Sequence, residues 1–152
     1  MNVSRHGLAC LLAIAPLLAG GPAHADGTCT TPVVVGVPVT FPANLGVGEV
    51  FGTDAAAATA ACVSLQGDVF PATLSVWIEF DTGGGNWVPM CTPESVTRFS
   101  DLGVLEAHAT TTCAYRMSDQ AWLAPHRAHA TLTDHSTGAV YAATSPEWPG
   151  GI

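Results

Sequence analysis

Apolar residues recur at every second position along much of this chain. That period sets them on one face of a β-strand, not along one side of a helix. In TLSVWIEF, Leu74, Val76, Ile78 and Phe80 share a face, and Thr73, Ser75, Trp77 and Glu79 take the other. In VLEAHATTTCAYR, Leu105, Ala107, Ala109, Thr111, Cys113 and Tyr115 align, and the threonines suit a pleated surface. VVVGVPVTF sets Val33, Val35, Val37, Val39 and Phe41 in one row, with Gly36 and Pro38 opposite. Pro38 has no N–H to donate, so this strand belongs at a sheet edge or carries a bulge.

The stretch from His126 to Thr144 reads as a hairpin. Ala128, Ala130 and Leu132 alternate with Arg127, His129, Thr131 and Thr133, and AVYAAT returns as the partner strand. The Asp134 side chain can accept from backbone N–H groups two or three residues on. Gly138 can take the positive φ of a turn followed by a bulge. After the loop DTGGGN, WVPM starts a return strand, and VTRF is a further short one. DAAAATAACVSL is ambiguous. Asp54 is a good helix N-cap before a run of helix formers, yet the same residues suit one long strand; the expectation is strand from about Thr59 onward. The tail SPEWPGGI is expected to be loosely held. About seven short strands separated by Gly and Pro predict an all-β, antiparallel β-sandwich, immunoglobulin-like or fibronectin-III-like. An antibody-type core is not expected, because Trp77 lies opposite its strand's aliphatic row.

Residues 1–25 read as a cleaved secretion signal. Arg5 and His6 make a basic start, Leu8 to Ala19 an apolar run, and Ala23-His24-Ala25 a cleavage site. The run is short for a spanning helix, which needs about 20 apolar residues, and Pro16 and Gly20 break it. Cys10 lies inside the run rather than at its end, which argues against a lipid anchor. Residues 26–152 then form a single domain. Without Arg5, three arginines face 12 acidic residues, a net charge of −9 with histidine neutral, and there is no lysine. Nucleic acid and anionic membrane are poor partners for such a chain, since phosphate binding needs clustered Lys and Arg.

Four cysteines remain after the signal: Cys29, Cys62, Cys91 and Cys113. An even number in a short exported chain predicts two disulfides. Zinc sites use closer cysteine pairs. Three pairings are possible, and Cys29–Cys62 with Cys91–Cys113 is favoured because each joins neighbours along the chain.

The candidate sites are few. His126 and His129, three apart on one strand, point to opposite faces, and His135 lies in the turn. His129 meets His108 only if their strands share a sheet, with Glu106 a conjectural third ligand. No metal site or cofactor is expected, and these histidines are assigned to solvated surface. No nucleophile elbow, zinc-protease motif or phosphate loop is present; Gly83 to Gly85 is a hairpin loop. Glu79 and Asp81 share a face and resemble an acid–base or calcium pair, with solvated charge the default. Trp77 on the polar face and Trp87 after the glycine loop can form an exposed platform for sugar rings. Glu79, Asp81 and Asn86 stand near enough to bond hydroxyls. The competing role of the tryptophans is to cover the core edge.

These observations predict a small secreted, extracellular or periplasmic, non-catalytic binding or surface-interaction module. Its partner is a glycan or a protein. The alternatives are a carbohydrate-binding module using the Trp platform, and a pilus-type fibre subunit assembled by strand donation of the Val33 row.

Overall fold

The computed structural model describes residues 27–38, 51–116 and 119–150. The signal segment 1–25, and Val39 and Phe41 of the valine row, lie outside the described residues. Among these residues nine strands run in chain order: β1 Gly27–Cys29, β2 Val33–Pro38, β3 Phe51–Ser64, β4 Pro71–Asp81, β5 Trp87–Pro89, β6 Glu94–Phe99, β7 Val104–Arg116, β8 His126–Asp134 and β9 Val140–Thr144. A 3₁₀ turn, Gln120–Leu123, precedes β8. No helix among the described residues is long and apolar enough to cross a membrane.

The strands form two antiparallel sheets. In sheet 1, β3 is central: β7 pairs along one side, and β1 and β2 lie in succession along the other. In sheet 2, β4 is central: β8 and then β9 extend one side, and β5 and β6 share the other. Two edges are each shared by two short strands, so nine strands occupy seven positions. The predicted antiparallel sandwich is the observed architecture.

The inner faces follow the alternation closely. Ala72, Leu74, Val76 and Ile78 of β4 are fully enclosed, as are Ala128, Ala130 and Leu132 of β8. On β7, inward Leu105, Ala107, Ala109, Thr111, Cys113 and Tyr115 alternate with exposed neighbours. Burying a side chain the size of Leu or Ile contributes roughly 1.5–3 kcal/mol. The ambiguous alanine segment is one 14-residue strand. Asp54 is no helix cap; it sits mid-strand on the inward parity, in line with buried Ala56, Ala58 and Ala60.

Both favoured disulfides are present. Cys29–Cys62 joins directly paired positions of β1 and β3. Cys91–Cys113 ties the segment after β5 in sheet 2 to β7 in sheet 1. Closing loops of 33 and 22 residues, each bridge stabilises by roughly 3 kcal/mol through the unfolded chain.

One expectation is corrected, and one strand's orientation is decided. The tail is not loose: Trp148 is 8% exposed within the core cluster, and its backbone exchanges two hydrogen bonds with His126, at 2.8 and 2.9 Å. The valine row does not face the core. Val33, Val35 and Val37 are 65%, 57% and 48% exposed, whereas Val34 is buried. The two findings share one cause. A Cβ at Gly36 would lie 2.1 Å from Cη2 of Trp148, so the tail's indole fills the space where only glycine fits. Gly36 must therefore point inward, and strand parity turns the valines out. β2 is the edge strand that Pro38 implied.

Candidate functional site

The outer face of sheet 2 carries the sequence-predicted residues. β4 and β8 pair so that Trp77 faces His129 and Glu79 faces Arg127, and β5 brings Trp87 opposite Asp81. Trp77 and His129 stack with ring centroids 4.5 Å apart. The Trp77 indole N–H donates to Glu79 Oε1 at 2.8 Å, and Arg127 Nε–H donates to Glu79 Oε2 at 2.9 Å. The Arg127 guanidinium lies 4.1 Å from the Trp87 ring centroid, a cation–π contact worth about 0.5–1 kcal/mol or more. The five side chains thus form a continuous line from His129 to Trp87. Glu79 is 7% exposed, with each oxygen engaged; both tryptophans are half-buried.

The other two predicted residues belong to the loop beside this line. Asp81 Oδ1 accepts from the Gly83 N–H at 2.8 Å, and Oδ2 from the Gly85 N–H at 3.2 Å. The Asn86 amide donates to Thr82 Oγ1 at 2.8 Å. These bonds set the shape of the glycine loop that presents Trp87. Toward the other end of the face lie hydroxyl pairs, Thr73–Thr97 and Ser75–Ser95, each at 2.8 Å.

Arg127 and His129 were missed as members of this group. Their outward parity on β8 was legible, but the pairing of β4 with β8 that brings them to Trp77 and Glu79 is a long-range event. His108 lies on β7 in sheet 1 and His129 on β8 in sheet 2, so the two do not meet. Among the described residues no group of His, Cys, Asp and Glu is arranged to hold a metal.

A second cluster went unread. His126 is not solvated surface: it and Asp54 are wholly buried, joined from Nδ1 to Oδ2 at 2.5 Å across the two sheets. His126 Nε2 lies 2.6 Å from the Ala121 carbonyl. That oxygen can only accept, so Nε2 carries a proton. The Nδ1–Oδ2 contact needs one proton between the two atoms. Tyr115 donates to Asp54 Oδ1 at 3.3 Å. Burial, then the Asp54 charge and this bond, push the Tyr115 phenol from its ordinary 10.0 up to about 12. Both Asp54 oxygens and both His126 nitrogens have a partner, and the His126 ring is closed in by Tyr115 and Trp148, whose buried indole N–H has none. This cluster clamps the 3₁₀ turn and the sheets together rather than facing a ligand.

At the β8–β9 turn, Asp134 accepts from the Ser136 N–H at 2.8 Å, the Ser136 hydroxyl at 2.6 Å and Thr137 Oγ1 at 2.9 Å. Burial opposes its ionisation, but these bonds outweigh burial and hold the carboxyl below its ordinary 3.8. Gly138 takes φ 74°. Both predicted turn roles are observed.

No family model matches the sequence, and no curated protein matches it. Among solved structures, the FixG-related protein from Vibrio parahaemolyticus is 15% identical. The alignment covers 81% of this chain and 99% of that one, with a TM-score of 0.38. A protein described as ApaA, from Bordetella pertussis, is 12% identical over 83% of this chain and 94% of that one, with a TM-score of 0.37.

Proposed function

We propose that this chain is an exported, non-catalytic binding module, immunoglobulin-like or fibronectin-III-like, that engages its partner with the outer face of sheet 2. Two disulfides and the absence, among the described residues, of a membrane-spanning helix are compatible with a secreted or periplasmic setting. The three-position and four-position sheets, split by the crossings from β3 to β4, from β6 to β7 and from β7 to β8, support the fold assignment. The observation that carries the binding face is the connected line Trp77, Glu79, Arg127 and Trp87, whose polar atoms hold the aromatics in place. Fixed aromatic side chains lose little entropy when a ligand settles on them.

The non-catalytic assignment is supported by the two carboxylates. Each oxygen of Glu79 and Asp81 already accepts a hydrogen bond, which suits structural anchors better than an acid and a base. The fibre-subunit alternative is weakened because β2 pairs with β3 of its own chain.

A carbohydrate is the ligand class that Trp77 and Trp87 on one face favour. His129 occupies one side of the Trp77 ring and Arg127 one side of Trp87, so sugar rings would stack on the opposite sides. Tryptophan emission recorded against a panel of soluble polysaccharides tests this. Quenching that disappears in Trp87→Ala is expected; no spectral change and no retention on any polysaccharide removes the sugar. Peptide mapping of secreted material without reduction tests export, with an N-terminus at Asp26 expected.

A further inference from the structure

We propose that one end of the sandwich is a membrane-contact surface, which rests on zwitterionic lipid of the bilayer that the chain crosses on export. The loop from β3 to β4 and the hairpin from β6 to β7 meet at this end. The Ser64 N–H donates to the Gly103 carbonyl at 2.7 Å, and the Ser100 N–H to the Phe70 carbonyl at 3.0 Å. The Ser100 hydroxyl donates to the Asp68 carbonyl at 2.9 Å. A Cβ on Gly103 would lie 2.5 Å from the Ser64 carbonyl oxygen, so the two loops touch. Leu65, Leu102, Val69 and Phe99 stand out from them, 97%, 85%, 70% and 68% exposed, and exposed Val63 and Val104 pair directly behind. One exposed apolar residue is ordinary, but a contiguous set marks a contact surface.

Leu102 is out of place by local rules. Asp101 and Val104 exchange two backbone hydrogen bonds around Leu102 and Gly103, at 2.8 and 2.9 Å. Both central residues take positive φ, 48° and 79°. Asn-Gly is the pair that such a two-residue turn favours, and a leucine is strained in it. Among the described residues no other non-glycine residue has positive φ. Leu102 therefore costs the turn some stability and buries little of its side chain within the chain. A residue that breaks a local rule without a gain in packing belongs to a functional surface.

The path of the chain names what covers this end, and this step rests on the export reading. Gly27 pairs with Ser64, and the Cys29–Cys62 bridge locks β1 to β3 beside that pair. The chain thus enters the fold next to Leu65. The apolar run of the leader ends at Ala19, eight residues before Gly27, and eight residues span at most about 30 Å. While the leader lies in the bilayer, the apolar end is the one tethered to the lipid. Charge selects the lipid. Residues 65–70 and 99–103 include Asp68 and Asp101 and no Lys or Arg. Their carboxylates suit the ammonium or choline of phosphatidylethanolamine and phosphatidylcholine, and an anionic surface repels them. The apolar side chains then reach the boundary between headgroups and acyl chains. A second copy set end to end would bring like carboxylates together.

Co-sedimentation of the exported, disulfide-bonded protein with vesicles of phosphatidylethanolamine and phosphatidylcholine tests the proposal. Binding is expected, and should fall about fivefold when phosphatidylglycerol replaces half of the lipid. Leu102→Asn should weaken binding about tenfold, the transfer of one leucine side chain, while its thermal midpoint holds or rises because asparagine suits the turn. Leu65→Ser should also weaken binding and keep the fold. Val35→Ser, an exposed valine on the outer face of sheet 1, should leave binding unchanged. No binding at millimolar lipid, binding that neither Leu102→Asn nor Leu65→Ser weakens, or equal weakening by Val35→Ser would each overturn the proposal. So would tighter binding to the phosphatidylglycerol vesicles, or a dimer at sedimentation equilibrium that Leu102→Asn abolishes. The export reading fails separately, through a leader still attached to a cytoplasmic product in peptide mapping.

Discussion

Among the described residues two acid–base pairs bridge strands, Asp54–His126 and Glu79–Arg127, and they differ in almost every physical respect. Asp54 and His126 join the two sheets inside the core, both side chains at 0% exposure. Glu79 and Arg127 join neighbouring strands on the outside of sheet 2, at 10% and 24%. The inner pair has no water to fall back on. Its remaining atoms are matched by Tyr115 and the Ala121 carbonyl, and its loss leaves a polar group stranded. The outer pair borders solvent, which can replace either partner. The contrast teaches that the same chemistry serves as a clamp in the core and as a scaffold for aromatic rings on the surface.

The sharpest way to break this contrast is to truncate one member of each pair. Asp54→Ala should destabilise by about 3–5 kcal/mol, as expected when a buried pair loses one partner, and some preparations should fail to fold. His126→Ala should do the same. Arg127→Ala should cost no more than about 1 kcal/mol, measured for all three by urea denaturation. Similar losses from Asp54→Ala and Arg127→Ala would erase the distinction.

Removal of the inter-sheet bridge with Cys91→Ser and Cys113→Ser together should cost about 3 kcal/mol. That places its effect between the two pairs in the same urea series.

A smaller effect isolates the third member of the inner cluster. Because the Tyr115 phenol is pushed up to about 12 in the folded state, its stabilising contribution is fully present below pH 10. It is lost as pH rises through 12, where the unfolded chain prefers tyrosinate. Wild-type protein should lose stability over that interval relative to Tyr115→Phe, and phenolate absorbance should report one late-titrating tyrosine. At neutral pH Tyr115→Phe should cost about 1 kcal/mol.

The smallest expected effect lies at the β8–β9 turn. The Asp134 carboxyl is held below 3.8, so its contribution is fully present above about pH 4 and is lost as pH falls through the lowered value. Asp134→Asn should flatten that acid limb in a thermal denaturation series. An unchanged slope would show that the Ser136 and Thr137 bonds do not favour the charged form.

The sandwich itself was legible because alternation is written in the order of residues. Leu74, Val76 and Ile78 against Ser75 and Trp77 need only a strand to separate inside from outside. The candidate site was legible in part: Trp77 and Glu79 were assigned to the polar face, and Trp87 to the strand that returns beside them. Arg127 and His129 were not joined to them, because nothing local says that β8 lies beside β4. Asp54 looked like a helix cap because its nearest neighbours are alanines. The partner that keeps it in a buried strand, His126, stands 72 residues away.

What the chain determined by itself were the properties that reach only a few residues: strand period, the Asp134 turn with its Gly138, and cysteines joined to their neighbours in sequence. Tertiary structure alone decided which side of β2 is inside, that the tail is held, and that one histidine of three in the last hairpin is buried. The reason is that parity separates two faces without ranking them. At β2 the ranking came from Trp148, a bulky ring from the far end of the chain that left room on the inner side for glycine and turned three valines toward solvent.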